Sequence, residues 1–191
     1  QQQLDSSPNR ELNVYVHGFR TNFAWETELL GKFFHCTGRR GAMVCFAWPA
    51  RQTLFLYGQD VERGLKSSPL LMDLIEMLAR DTKAQRINVL AYSCGATVAA
   101  DALVRLRQRY ADEGPAQLSQ RLRIGNVIFA ASDIDLKTFA RGQVKQISEL
   151  AQEVNIYISD NDAALGLSAL GYGTSRLGRP KQGELTRADL E

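Results

Sequence analysis

Five short apolar runs, at residues 12–16, 42–48, 87–91, 124–130 and 154–158, limit more than any other feature how this chain can fold. Each is rich in β-branched or aromatic residues and reads as a strand. Hydrophobicity within them is nearly continuous rather than alternating, the pattern of strands covered on both faces of a parallel sheet. The intervals between runs are long enough for crossover connections. Asn22 reads as the N-cap of a first helix reaching Phe34, with Trp25, Leu29 and Phe33 along one face. Leu70, Leu71, Leu74, Ile75 and Leu78 form an apolar stripe over 69–79, with Pro69 at its start. A third helix opens at Gly95 and runs through Val98, Ala102, Leu103 and Leu106, and a fourth covers 136–150 with Gly142 as its weak point. Residues 114–120 read as a surface loop or a short extra helix. Strand and helix in alternation predict an α/β protein, a three-layer α/β/α sandwich with a mainly parallel sheet.

A chain of 191 residues with 45% hydrophobic content has material for one core. The expected organisation is a polar N-terminal arm (1–10), a core domain (11–178) and a polar tail (179–191). The net charge of +2 gives no electrostatic case for nucleic acid or an acidic membrane surface. No apolar run approaches the roughly 18 residues of a membrane span, and the start is too polar for a signal peptide. Opening on three glutamines without an initiator Met, the sequence reads as a processed piece, which leaves the compartment open. Cys36, Cys45 and Cys94 have no zinc spacing, so no metal is expected. They read as buried small hydrophobes, although Cys36 and Cys45 flank a turn that an oxidising compartment could bridge. No G-x-G-x-x-G follows the first run, which argues against a dinucleotide, and no cofactor is expected.

In open parallel sheets ligands bind beyond the carboxyl ends of the strands. The third run ends in Ala91-Tyr92-Ser93-Cys94-Gly95 and passes directly into a helix, the pattern of a nucleophile elbow with Ser93 at its apex. Small residues two before and two after the serine admit the sharp turn, and the Cys94 N–H lies where negative charge would develop. Alone, such a string is common, and a serine that merely caps a helix is the plainer reading. The first run ends in His17-Gly18-Phe19, where a second oxyanion donor belongs, the Phe19 N–H, with His17 holding the loop rather than acting as a base. An acid should follow the nucleophile in chain order. Asp162, just past the fifth run, is the first choice; Asp133, just past the fourth, is the alternative, and Asp160 a weaker one. Each is equally consistent with a turn or helix cap. Phe19, Phe23, Trp48, Phe55 and Tyr57 could line an apolar acyl pocket or simply pack a core.

With these motifs in place the chain resembles a bacterial branch of the α/β-hydrolase (esterase/lipase) superfamily long catalogued as of unknown function. The resemblance rests on Val14-Tyr15-Val16-His17-Gly18-Phe19, on Phe46-Ala47-Trp48-Pro49-Ala50 with Tyr57 and Asp60, and on 87–95. It continues through 127–135, Tyr157-Ile158-Ser159 to Leu165, and Arg176-Leu177-Gly178. Tyr92 and Cys94 depart from the His and Met usual beside the serine of that branch. The resemblance implies a serine hydrolase acting on small-molecule or lipid carboxylic esters through an acyl-enzyme. It also implies a bacterial cytoplasmic or envelope location, and a further strand with a catalytic histidine after Arg176-Leu177-Gly178. The sequence has only His17 and His35, and His35 reads as a surface residue. Residues 185–190 read as the start of a helix leading onward. A degenerate binding module and an acyltransferase on the same scaffold are the competing readings.

Overall fold

The computed structural model describes residues 2–5, 7–19, 21–50, 57–181 and 183–184. Five parallel strands, β1 (Glu11–Val16), β2 (Ala42–Phe46), β3 (Arg86–Tyr92), β4 (Ile124–Ala130) and β5 (Glu153–Tyr157), form one sheet in the order β2-β1-β3-β4-β5. The helices are α1 (Gln2–Asp5), α2 (Phe23–Cys36), α3 (Tyr57–Asp81), α4 (Gly95–Arg109), α5 (Pro115–Leu122), α6 (Leu136–Thr138), α7 (Val144–Ser148) and α8 (Ala163–Tyr172), with a π-helical turn Phe139–Gln143 joining α6 to α7. This is the predicted α/β class with a parallel sheet flanked by helices. The chain runs outward from β1 to β2, then returns across β1 to place β3 on its other side. The strand order therefore reverses between β1 and β3, and their carboxyl ends flank the crevice where ligands bind in such sheets.

Alternation along the strands sorts the two faces. Leu12, Val14 and Val16, Ile87, Val89 and Ala91, and Val127 and Phe129 are all buried. With Leu71, Ile75, Val98, Ala102, Leu103 and Leu106 of α3 and α4 they make the main core. The opposite face is less apolar than continuous hydrophobic runs imply. Asn13, Asn88, Asn126 and Asn155 lie on four neighbouring strands and join into one row, Asn88 Nδ2 donating to Asn13 Oδ1 (2.9 Å), Asn126 N to Asn88 Oδ1 (2.9 Å) and Asn155 Nδ2 to Asn126 Oδ1 (3.5 Å). Each amide answers a polar group that would otherwise sit unpaired on a sheet surface.

Several elements differ from expectation for identifiable reasons. Helix α3 starts at Tyr57, well before Pro69, which lies inside it. Pro69 cannot donate to the carbonyl of Leu65 four residues back, and Ser68 Oγ donates to that carbonyl instead at 2.7 Å. Leu71, Ile75 and Leu78 of the expected stripe are buried, whereas Leu70 is exposed. The fourth helix is broken at Gly142 by the π-helical turn. Asn22 caps α2 as expected, accepting from Trp25 N at 2.9 Å. Its stripe Trp25, Leu29 and Phe33 is nonetheless exposed, and the buried residue of α2 is Glu26. Residues 115–122 are a helix that buries Leu118 and Leu122. The polar N-terminal stretch is anchored by Leu4 in the core and by Ser7 Oγ, which accepts from Gly41 N at 2.8 Å. The three cysteines are free thiols; Cys36 is exposed and Cys94 buried. Among the described residues no helix is long and apolar enough to cross a membrane, and no group of His, Cys, Asp or Glu is placed to hold a metal ion.

Candidate active site

Registry carries the carboxyl ends of the strands to one edge: Val16 pairs with Phe46 and Ala91, Tyr92 with Ala130, and Ala130 with Tyr157. Ser93 leaves that edge between β3 and α4 at φ +54, in the left-handed region where a non-glycine residue stores roughly 1–3 kcal/mol. Its backbone is tied on both sides to the end of β4 and the segment that follows, N–H donating to Ala130 O at 2.9 Å and C=O accepting from Asp133 N at 3.3 Å. The end of β1 passes directly over the turn. A Cβ on Gly18 would come within 2.9 Å of Ser93 Cβ, and one on Gly95 within 2.1 Å of His17 O and 2.7 Å of Val16 O. Only hydrogen at these two positions lets His17, Gly18 and Phe19 reach the serine.

Both expected oxyanion donors sit at this junction. Cys94 precedes the first residue of α4, and Phe19 follows Gly18 above Ser93. Neither N–H donates to another described residue. Burial, reinforced by the Asp133 carboxylate, pushes the Cys94 thiol up to about 12, which keeps it neutral beside Ser93.

His17 is buried and stacked on Trp48, ring centroids 4.8 Å apart and planes 4° from parallel. Nδ1 lies 2.7 Å from Gly18 O. Nε2 lies 2.9 Å from Glu26 Oε1 and 3.0 Å from both Trp48 O and Trp48 N, while Trp48 Nε1 donates to His17 O at 2.8 Å. The ring is fully engaged in holding the loop. His35 is exposed at the end of α2, with Arg39 beside its Nδ1. Neither imidazole of the sequence touches Ser93.

The two candidate acids occupy different environments. Asp133 is 5% exposed and clamped from several elements. The Tyr57 hydroxyl donates to its Oδ2, Ser168 Oγ donates to Oδ1 at 2.6 Å, and buried Arg176 places Nε 3.3 Å from Oδ1. Burial, then the Asp133 charge, drives the Tyr57 hydroxyl well above its ordinary range, so it remains a donor. Arg176 comes to Asp133 because 175–178 runs beside 132–136, with Leu177 N donating to Ile134 O (2.9 Å) and Gly178 N to Ser132 O (2.8 Å). Its guanidinium lies 4.2 Å over the Tyr172 ring. Asp162 caps α8 instead, Oδ1 accepting from Leu165 N at 3.0 Å, and its carbonyl accepts from Arg179 Nη1 at 2.8 Å. Among the described residues its Oδ2 accepts no hydrogen bond. The loop of Asp160 borders a cavity of about 950 Å³ between α8 and the segment near Arg179 and Lys181, away from Ser93.

The aromatics named as either pocket lining or core packing are placed differently from one another. Phe19 and Tyr57 meet edge to face at 5.1 Å, and Tyr57 meets Tyr172 at 6.4 Å. Trp48 is buried against His17, Phe23 is exposed, and Phe55 and residues 185–190 lie outside the described residues. Glu26 and Ser168 are the residues sequence reasoning missed. Glu26 stands in the first turn of a helix, where an acidic residue is ordinarily explained by the helix dipole, and Ser168 carries no signal at all.

No curated protein matches this sequence. In three dimensions the chain aligns with a crystal structure titled "Putative hydrolase from Agrobacterium vitis S4", 13% identical, over 71% of this chain and 45% of that one, with a TM-score of 0.39. The chain thus spans less than half the length of that protein. A family model described as "Alpha/beta hydrolase of unknown function (DUF900)" matches residues 1–189. Because that match takes in nearly every residue, and the parallel sheet with its flanking helices agrees with it, this chain belongs to that α/β-hydrolase family.

Proposed function

We propose that this domain is a serine hydrolase of carboxylic esters with Ser93 as its nucleophile. The observation that carries the reading is the backbone of Ser93, held at φ +54 between strand and helix beneath a loop that two glycines allow to approach. A strained residue stitched in place on both sides is the signature of a group whose position matters more than its conformational comfort. In this reading Ser93 Oγ attacks the ester carbonyl carbon while its proton passes to a base. The carbonyl oxygen collects the charge and is held by the N–H groups of Phe19 and Cys94. Collapse expels the alcohol, which takes the proton, and water then releases the acyl group. Both imidazoles of the sequence are engaged elsewhere, so this reading takes its base from a residue other than His17 and His35. Asp162 is the better acid, because among the described residues one of its oxygens has no hydrogen-bond partner whereas both oxygens of Asp133 are taken. Asp133 is then the anchor that ties Tyr57, α8 and Arg176 to the floor of the site.

One observation favours a second reading, a hydrolase-fold domain that binds without turnover: no imidazole of this chain reaches Ser93. A fluorophosphonate probe separates the two. Phosphonylation of Ser93 in the full-length protein, located by mass spectrometry and absent from Ser93→Ala, is the expected result. A full-length, folded protein whose Ser93 stays unmodified under prolonged treatment would sink the hydrolase reading in favour of the binding domain.

A further inference from the structure

Glu26 is an ionisable side chain only 2% exposed, on a helix whose other side chains are largely solvated, and nothing in an ester-cleaving scheme uses it. Burial of a carboxylate is costly unless specific partners hold it. Its partners are His17 Nε2 at 2.9 Å and the Cys45 thiol, which donates to Oε2 at 3.3 Å. Burial, followed by the hydrogen bond to Glu26, pushes Cys45 up to about 12, so it serves as a steady donor. Past Glu26 the contacts run toward the oxyanion loop. Nδ1 of His17 faces the Gly18 carbonyl at 2.7 Å, an acceptor, so that nitrogen carries hydrogen and donates. Thr21 Oγ1 donates to the same carbonyl at 3.3 Å.

The Gly18 carbonyl and the Phe19 N–H belong to one peptide unit. That unit is planar and trans, so its C=O and N–H point in opposite directions, and fixing one fixes the other. We infer that Glu26 is a positioning residue for the oxyanion hole. It holds the His17 ring against Trp48 in the orientation whose Nδ1–H grips Gly18 O, and so aims the Phe19 N–H at the reacting oxygen. This rests on the reading of Phe19 N–H as an oxyanion donor. Nε2 faces acceptors too, Glu26 Oε1 and Trp48 O, and donates toward them, so the stacked Trp48 ring fixes the plane of the imidazole while Glu26 sets its position along the α2 side.

The test compares wild type, Glu26→Met and Glu26→Gln in the full-length protein. Met is close in volume and removes the carboxylate that faces Nε2, leaving that nitrogen only the backbone groups of Trp48. Gln keeps a carbonyl oxygen in the place of Oε1, where it can accept from Nε2 and hold the ring in the same position. Two quantities are read: the maximal rate and half-saturating concentration of Ser93 phosphonylation by a fluorophosphonate, and the exchange-protected His17 Nδ1–H in ¹⁵N-histidine NMR. Removing an oxyanion donor outright costs on the order of 10²-fold to 10³-fold, so misaiming one in Glu26→Met should slow the maximal rate by about tenfold or more. The half-saturating concentration should hold, the Nδ1–H signal should lose its protection, and Glu26→Gln should restore both readouts. A folded Glu26→Met that keeps the protected signal, or loses it with the rate unchanged, overturns the inference alone. An unlabelled wild type overturns the hydrolase reading and this inference together. Should Glu26→Met not fold, Glu26→Asp withdraws the carboxylate by one methylene and carries the same expectation.

Discussion

Placing one methyl group on Gly95 should do more damage than its size suggests. The added Cβ would sit 2.1 Å from the carbonyl oxygen of His17, more than an ångström inside ordinary contact, and 2.8 Å from its carbonyl carbon. The obstacle is strand backbone, which has no rotamer to escape into, so either β1 or the start of α4 must move. Overpacking a tight site costs about 1–3 kcal/mol, and this contact belongs at the upper end. The gain from replacing a helical glycine by alanine is at most about 1 kcal/mol and smaller at a helix start. At roughly 2–4 °C per kcal/mol for a domain of this size, Gly95→Ala should melt on the order of 5–10 °C below wild type. Gly31→Ala is the internal control, because no atom outside its own helix lies within 4 Å of the added Cβ. There the same chemical change should raise Tm by about 2–4 °C. Displacing the 17–19 loop by about an ångström should also slow labelling of Ser93 by up to roughly 10²-fold. Calorimetry and fluorophosphonate kinetics on the two variants check this. Equal melting points, with Ser93 labelling unchanged in Gly95→Ala, would refute the close approach of the loop to the elbow.

The remaining predictions separate anchoring from chemistry. Asp162→Asn should leave Tm nearly unchanged, since Asn caps a helix about as well as Asp, and should cost ester turnover in a complete protein if Asp162 is the acid. Asp133→Asn should do the reverse, because it leaves buried Arg176 without its counter-charge, a loss of about 3–5 kcal/mol measurable by urea denaturation. Arg176→Met should be similarly costly from the other side of the pair, whereas its loss without change in the urea midpoint would deny the pair a structural role. Stability should also fall as pH rises from about 9 to about 12. Cys45 and Cys94 are raised from 9.0, and Tyr15 from 10.0, each to about 12, chiefly by burial, so the unfolded chain releases these protons first. Their contribution is complete below the unfolded values and lost as pH passes the folded ones. Urea midpoints at pH 8 and pH 10.5 check it, and an unchanged midpoint in both Cys45→Ala and wild type at the higher pH would contradict it.

Much of this architecture is legible in the chain. Five strands, the crossovers between them and the turn at Ser93 follow from local causes: β-branched runs, helix caps, and the small residues Ala91 and Gly95 around a serine. Those causes act over a few residues and leave a direct imprint on the sequence. What the helices would bury was less readable. Trp25, Leu29 and Phe33 have the spacing of a core face yet lie exposed, while Glu26 between them is buried. Periodicity reports that a helix has two sides, and only the packing decides which neighbour each side meets.

The sequence by itself determined the fold class, the strand-to-helix junction that carries Ser93, and the positions just past each strand where functional residues had to be sought. Tertiary structure alone decided what those residues became. Asp133 and Arg176 are 43 residues apart in the chain and meet because 175–178 runs beside 132–136. Glu26 finds His17 because α2 folds back on the loop that precedes it, and Asp162 caps a helix with one oxygen that no described residue bonds. Side-chain identity sets what a carboxylate can do. Whether it acts as an anchor, a cap or an acid depends on which donors the fold brings within hydrogen-bond distance and how much water it excludes.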